Sequence, residues 1–164
     1  MSESSGARSD FQAPRPGPEH EVFLKDVGVW DATVEVKLAP APQISSGEAR
    51  NSLACGGLWL VTEFRNESGF EGRGLYGYDP ARGKYVGTWI DSMRTFMVLS
   101  DGEYDASTRT MILRTEHTDP TGRTMRWREV TRTVDDDTQV WSQIMTAPDG
   151  REFETMTVTY RRKK

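Results

Sequence analysis

The stretch Gly28-Val29-Trp30-Asp31-Ala32-Thr33-Val34-Glu35-Val36-Lys37-Leu38 decides the architecture. Trp30, Ala32, Val34, Val36 and Leu38 alternate with Asp31, Thr33, Glu35 and Lys37, a period of two that puts each set on its own face of an extended chain. One face is apolar and the other polar, so residues 30–38 read as a half-buried strand, which Pro40 and Pro42 stop. Upstream the period is helical. Pro18 suits the first helical position, where its missing N–H costs nothing. Glu19 and Glu21 favour the positive end of the helix dipole, and Lys25 lies near the other end. Phe23 and Val27 share a face with Leu24. Residues 18–27 therefore read as a short helix, with Gly28 placed to end it in a left-handed conformation. Residues 1–17, rich in Ser, Gly, Pro and charge, read as a disordered tail.

Downstream, one theme repeats: a strand of eight to ten residues, then a turn. The strands are expected at 44–54, 58–65, 70–78, 84–91, 94–104, 109–117, 123–133, 138–146 and 152–162. Between them stand Gly56-Gly57, Asn66-Glu67-Ser68-Gly69, Asp79-Pro80-Ala81-Arg82-Gly83, Asp119-Pro120-Thr121-Gly122, Asp135-Asp136-Asp137 and Pro148-Asp149-Gly150, which are turn sequences. Short connections make sequential strands antiparallel neighbours. No second helix is available to cover an open sheet. Residues 18–164 are thus expected to form a single all-β domain, a closed antiparallel up-and-down β-barrel of about ten strands with one short N-terminal helix. A sandwich is the alternative, but no Greek-key crossover is evident.

The chain has 164 residues, enough to bury a core without staples. A net charge of −4 disfavours sequence-independent binding to nucleic acid. The basic ending Arg161-Arg162-Lys163-Lys164 reads as a solvated tail. No window approaches a membrane span and no secretory signal is visible, so a cytoplasmic protein that leaves membranes alone is expected. Cys55, the one cysteine, is followed by two glycines and reads as half-buried and unreactive.

Several strands carry mixed faces. Trp59 is in phase with Val61 and Glu63, Trp127 with Met125 and Glu129, and Trp141 with Gln143 and Met145. Met156 is in phase with Val158 and Tyr160. A core filled only for stability would use Leu, Ile and Val. Aromatic, methionine and polar lining instead suits a small-molecule cavity. The candidate ligand-binding residues are Trp59, Glu63, Trp89, Asp91, Trp127, Arg128, Glu129, Trp141, Met145, Met156 and Tyr160. The expected partner is a small apolar or amphipathic molecule, and a homodimer is compatible with the sequence. Glu63, Asp91 and Glu129 each sit beside tryptophans, and an inward carboxylate would need Arg94, Arg126 or Arg128 as partner. One interior carboxylate in a dry cavity could equally serve an isomerase, cyclase or hydrolase. A protein-interaction module using the outer barrel face is the third reading. No residue is marked as catalytic by the sequence.

Other motifs read as structure. Gly72-Arg73-Gly74-Leu75-Tyr76-Gly77 spells G-x-G-x-x-G, but a turn follows it where a dinucleotide site needs a helix. Its glycines more simply relieve crowding in a bent strand. His20 and His117 form no cluster with Cys55, which argues against zinc. His117 is the one strand histidine that could hold haem iron, and it reads instead as solvated. No cofactor is expected.

Gly28-Val29-Trp30 at the start of the first strand resembles the calycin superfamily of lipocalins, fatty-acid-binding proteins and avidins. That resemblance implies that Trp30 plugs one end, with Arg161 or Arg162 stacked over it. A closer resemblance, to the bacterial domain-of-unknown-function family 1579, rests on Val27-Gly28-Val29-Trp30, Gly56-Gly57, Phe70-Glu71-Gly72, Gly77-Tyr78-Asp79, Tyr85-Val86-Gly87-Thr88-Trp89-Ile90-Asp91, Gly102-Glu103-Tyr104-Asp105, Arg128-Glu129-Val130 and Pro148-Asp149-Gly150. It implies a calycin-like barrel and no settled activity.

Overall fold

Ten antiparallel strands follow one another round a closed barrel in the order of the sequence. They are β1 (Gly28–Val36), β2 (Gln43–Ala54), β3 (Trp59–Asn66), β4 (Glu71–Asp79), β5 (Lys84–Asp91), β6 (Val98–Asp105), β7 (Thr110–Thr118), β8 (Thr124–Asp135), β9 (Thr138–Thr146) and β10 (Glu152–Arg162). The computed structural model describes residues 12–38 and 40–164. Closure comes from β1, which pairs with β2 on one side and with β10 on the other, from Trp30↔Arg162 to Val36↔Met156. The chain is therefore the up-and-down barrel that its short connections imply, and not a sandwich. Of the tail expected over 1–17, residues 1–11 lie outside the described residues.

The turns work as their composition suggests. Asp79 Oδ1 accepts from the Ala81 amide, Asp119 Oδ1 from Thr121, Asp135 Oδ1 from Asp137 and Asn66 Oδ1 from Ser68. Each is a side chain holding its own turn two residues on. Most strand bounds shift by one or two residues, β1 from the expected 30–38 to Gly28–Val36 among them, and two elements differ more. The strand expected at 94–104 begins only at Val98, because Asp91 Oδ1 takes the Met93 amide and turns residues 92–97 away from the ladder. The helix is shorter than 18–27: a 3-10 turn at Pro18–His20 leads into α1 (Glu21–Asp26). Val27 is already extended, and Gly28 opens β1 at φ 136° rather than closing the helix. A side chain there would be strained, and its Cβ would lie 2.8 Å from Arg162 Nη1.

The two ends of the barrel differ. At the floor, α1 lies across the opening beside the start of β1 and the end of β10. Phe23 is buried and meets Tyr85 edge-to-face, with ring centroids 5.9 Å apart. The Tyr85 hydroxyl donates to Glu19 O at 2.9 Å. Trp30, 1% exposed, donates Nε1–H to Asp26 O. The Arg162 guanidinium stands 4.1 Å over the Trp30 ring and donates to the carbonyls of Val27 and Lys25, both at 2.7 Å. Of the two arginines proposed to seal this tryptophan, Arg162 does so. The loops after β1, β3, β5, β7 and β9 form the mouth, where no described helix lies.

The main packed cluster lies on one side, with Val98, Leu113 and Trp127 also buried on β6, β7 and β8. Trp30, Ala32, Val34, Ala49, Phe64 and Val158 form one buried cluster on β10, β1, β2 and β3. On β2, β4 and β5 the inner wall is bared by glycine. A Cβ on Gly72 would lie 2.1 Å from Trp89 Cζ2, one on Gly47 2.6 Å from Phe64 Cζ, and one on Gly74 2.5 Å from Tyr76 Cε2. A Cβ on Gly87 would meet Tyr76 from the other side at 2.8 Å. Phe64, Tyr76 and Trp89 therefore rest against backbone instead of projecting across the barrel. This is the crowding relief expected of Gly72 and Gly74. Gly77 does the same on the outer face, under Trp59.

Gly72→Ala is expected to destabilise the protein by about 1–3 kcal/mol through overpacking against a ring that Asp91 holds in place. Urea unfolding measures this, and a loss below about 0.5 kcal/mol would show that the Trp89 ring is free to move.

Candidate functional site: a lumen inside the barrel

The inner faces of the strands enclose a cavity of about 820 Å³. That volume lies within the range of small-molecule sites. Apolar walls come from residues such as Val34, Leu60, Phe64, Met111, Leu113 and Val158. A small set of polar groups interrupts them at three levels.

At the floor lies Asp26, on the last turn of α1. Its carboxylate accepts from Gln139 Nε2. Burial raises its pKa to about 6, against the smaller opposing effects of the Gln139 amide and the Arg162 charge. Asn51 donates to Asp26 O at 3.0 Å, and its buried Oδ1 has no hydrogen-bond partner among the described residues.

Glu129 occupies the middle level, on β8. Its Cα partners are Leu113 on β7 and Gln143 on β9, so it points inward between them. Trp127 Nε1 donates to it at 3.3 Å. Desolvation raises its pKa, opposed by the indole N–H groups of Trp127 and Trp141 and by the charge of Arg94. Tyr76 and Tyr160 also line the lumen. Their hydroxyls are held protonated, first by burial and then by the Glu129 charge.

Asp91 lies near the mouth with its side chain only 3% exposed. It accepts from Trp89 Nε1 at 3.0 Å and from the Met93 amide at 2.9 Å. Arg94 Nη1 stands 3.4 Å from its Oδ2.

Six of the candidate residues line the lumen: Trp89, Asp91, Glu129, Trp141, Met156 and Tyr160. Trp127 and Met145 are Cα partners on the same inner face, where they fill the wall beside the cavity instead of bounding it. Three candidates are on the outside. Trp59 lies over Gly77 on the outer face, and Glu63 pairs with its cross-strand neighbour Arg73 at 3.2 Å. Arg128 makes two hydrogen bonds to Glu152, at 3.1 and 2.9 Å. The error on β3 is a one-residue slip, since alternation groups residues without saying which group faces in. Leu60 and Phe64, both buried, face inward together with Thr62 and Asn66. The two large apolar residues four apart, against the charged Glu63 and Arg65 of the other phase, were the available signal. Of the arginines offered to an inward carboxylate, Arg94 approaches Asp91, while Arg126 pairs with Glu116 outside.

Sequence reasoning missed Asp26 and Tyr76. Asp26 sits on the helix, where the sequence reading placed no site residue. Tyr76 is in phase with Gly72 and Gly74, an alternation hidden by the nucleotide-like spelling. His117 stacks on Phe96 with centroids 3.7 Å apart, and Cys55 is exposed rather than half-buried. Among the described residues, no His, Cys, Asp and Glu group is arranged for a metal ion, and no helix is long and apolar enough to cross a membrane.

Fold and cavity together define a hollow up-and-down β-barrel with a ligand-sized lumen. The chain belongs to the family described as protein of unknown function (DUF1579), whose profile matches residues 15–162. Rv2717c from M. tuberculosis, known from a crystal structure, shares the fold. It superposes with a TM-score of 0.67 at 14% identity, covering 90% of this chain and 99% of that one. A redesigned β-barrel aligns over 92% of this chain and 100% of its own at 10% identity, with a TM-score of only 0.38. A protein of unknown function from the DUF3598 family of Nostoc punctiforme aligns over 90% and 100% at 8% identity and a TM-score of 0.26. No curated protein matches the sequence.

The raised pKa of Asp26 makes a signed prediction. Its folded value of about 6 lies above the ordinary 3.8, so between those values the folded state binds the proton more tightly than the unfolded chain. Stability is therefore greatest at low pH, as far as this group is concerned, and is lost as pH rises through that window. Two pH units correspond to roughly 3 kcal/mol at most, less because the lumen admits water. Asp26→Asn is expected to be more stable than the parent by about 1–2 kcal/mol at pH 8 and nearly equal at pH 4. Urea midpoints at the two pH values decide it, and an equal difference at both would remove Asp26 titration as the cause.

Proposed function

We propose that this chain is a cytoplasmic, calycin-like binding protein that holds one small, largely apolar molecule inside its barrel. The observation that carries this reading is the lumen of about 820 Å³, open at the mouth, with apolar walls and a few inward polar groups. A chain selected only for stability would fill that space, since large voids forfeit packing energy. Here the glycines opposite Phe64, Tyr76 and Trp89 work the other way, keeping rings against the wall and the centre clear. Aromatic surface supplies affinity, and the polar groups orient the guest.

A second reading has one observation behind it. Glu129 is an inward carboxylate whose proton affinity is raised, in a lumen it shares with the hydroxyl-bearing Tyr76 and Tyr160. Such a group is suited to general acid–base work on a bound molecule. Glu129→Gln separates the two, because a binding protein keeps its guest unconverted in both forms, whereas an enzyme converts it only with Glu129 present.

Native mass spectrometry of protein purified from its own host is expected to show a co-purified small molecule. Isothermal titration with naphthalenemethanol, a neutral apolar probe, is expected to give saturable one-to-one binding. Thr131→Trp, which places an indole in the lumen, is expected to abolish it. The absence of both a co-purified molecule and saturable binding would overturn the proposal.

A further inference from the structure

Accepting the lumen as a binding site, we infer that its guest is a molecule with an apolar body and a protonated amine or similar N–H donor, that Glu129 is the partner of that donor, and that carboxylates such as fatty acids are rejected. The inference rests on the binding reading and narrows its ligand class.

The charge inventory of the walls is lopsided. Among the described residues lining the lumen, three are carboxylates (Asp26, Asp91 and Glu129) and one is a cation, Arg94. Arg94 sits at the mouth and stands against Asp91, leaving no free positive charge for an anionic head group. An anion entering this lumen would lose its hydration without gaining an ion pair, while an ammonium would meet unpaired carboxylate.

The three carboxylates differ in how well they are satisfied. Asp91 has the Trp89 indole, the Met93 amide and the Arg94 guanidinium. Asp26 has the Gln139 amide and the nearby Arg162 charge. Glu129 has the weak donors of two indoles, with Trp127 Nε1 at 3.3 Å, and feels the charge of Arg94, whose guanidinium stands against Asp91 instead. A carboxylate can accept about four hydrogen bonds, so Glu129 retains accepting capacity directed into the cavity.

The rings reinforce the same choice. Tyr76 and Trp89 rest against bare glycine backbone and line the lumen, so aromatic surface borders the space beside Glu129. An aromatic face is the negative side of the ring quadrupole and attracts a cation. Carboxylate and aromatic rings around one apolar space form a receptor for an ammonium on a hydrocarbon frame.

The test uses three probes with one carbon skeleton: naphthalenemethylamine, naphthalenemethanol and naphthoate, titrated calorimetrically into the whole protein at pH 7.5. The amine is expected to bind at least tenfold more tightly than naphthoate. Glu129→Gln is expected to weaken the amine at least tenfold and to change the alcohol less than about twofold. Naphthoate binding as tightly as the amine would overturn the inference, as would an unchanged amine affinity in a folded Glu129→Gln protein. Should that variant fail to fold, the wild-type ranking of amine over naphthoate decides alone. Binding of the alcohol without any advantage for the amine sinks only this inference. Binding of none of the three overturns this inference and, together with the absence of a co-purified molecule, the lumenal reading beneath it.

Discussion

The register between β1 and β10 is the constraint on which everything else depends. Pairing Trp30 with Arg162 closes the barrel and, in the same step, lifts a guanidinium over the one fully buried indole. A shift of one residue would turn Trp30 against Arg161, whose side chain faces the other side of the sheet, and the floor would lose its seal. The same guanidinium ties down the end of α1 through the Lys25 and Val27 carbonyls. Closure, floor and helix placement are thus one cooperative arrangement.

With both edges paired away, the barrel has only its interior to organise. It divides that interior unequally. The cluster around Trp30, Val34, Phe64 and Val158 packs along four strands and also lines the lumen, while glycines on β2, β4 and β5 let Phe64, Tyr76 and Trp89 lie back against the wall. Stability and vacancy therefore coexist because side chains pack against their neighbours along the wall and stop short of the centre. The polar groups that survive inside lie in the vacant part, where Glu129 and Asp26 accept a desolvation cost that an ordinary core would avoid.

The fold was readable in the chain to a degree that the site was not. Strand β5 was legible to the residue, because Gly83 and the Asp91 turn mark both of its ends. Trp89, Asp91, Glu129, Trp141, Met156 and Tyr160 were found because mixed aromatic and polar faces are unusual for a filled core. Trp59, Glu63 and Arg128 were misplaced because a polar residue beside a tryptophan looks the same from either side of a sheet. Arg73 and Glu152, which occupy Glu63 and Arg128 outside, are neighbours only across strands.

By itself, then, the sequence determined that this chain alternates, turns and closes, since period two, turn residues and short connections are local properties of consecutive residues. Tertiary structure alone decided which face looks inward, that glycines on one strand bed the rings of another, and that Asp26 reaches the cavity from a helix. Those facts depend on residues brought opposite each other by closure, and separation along the chain carries no record of them.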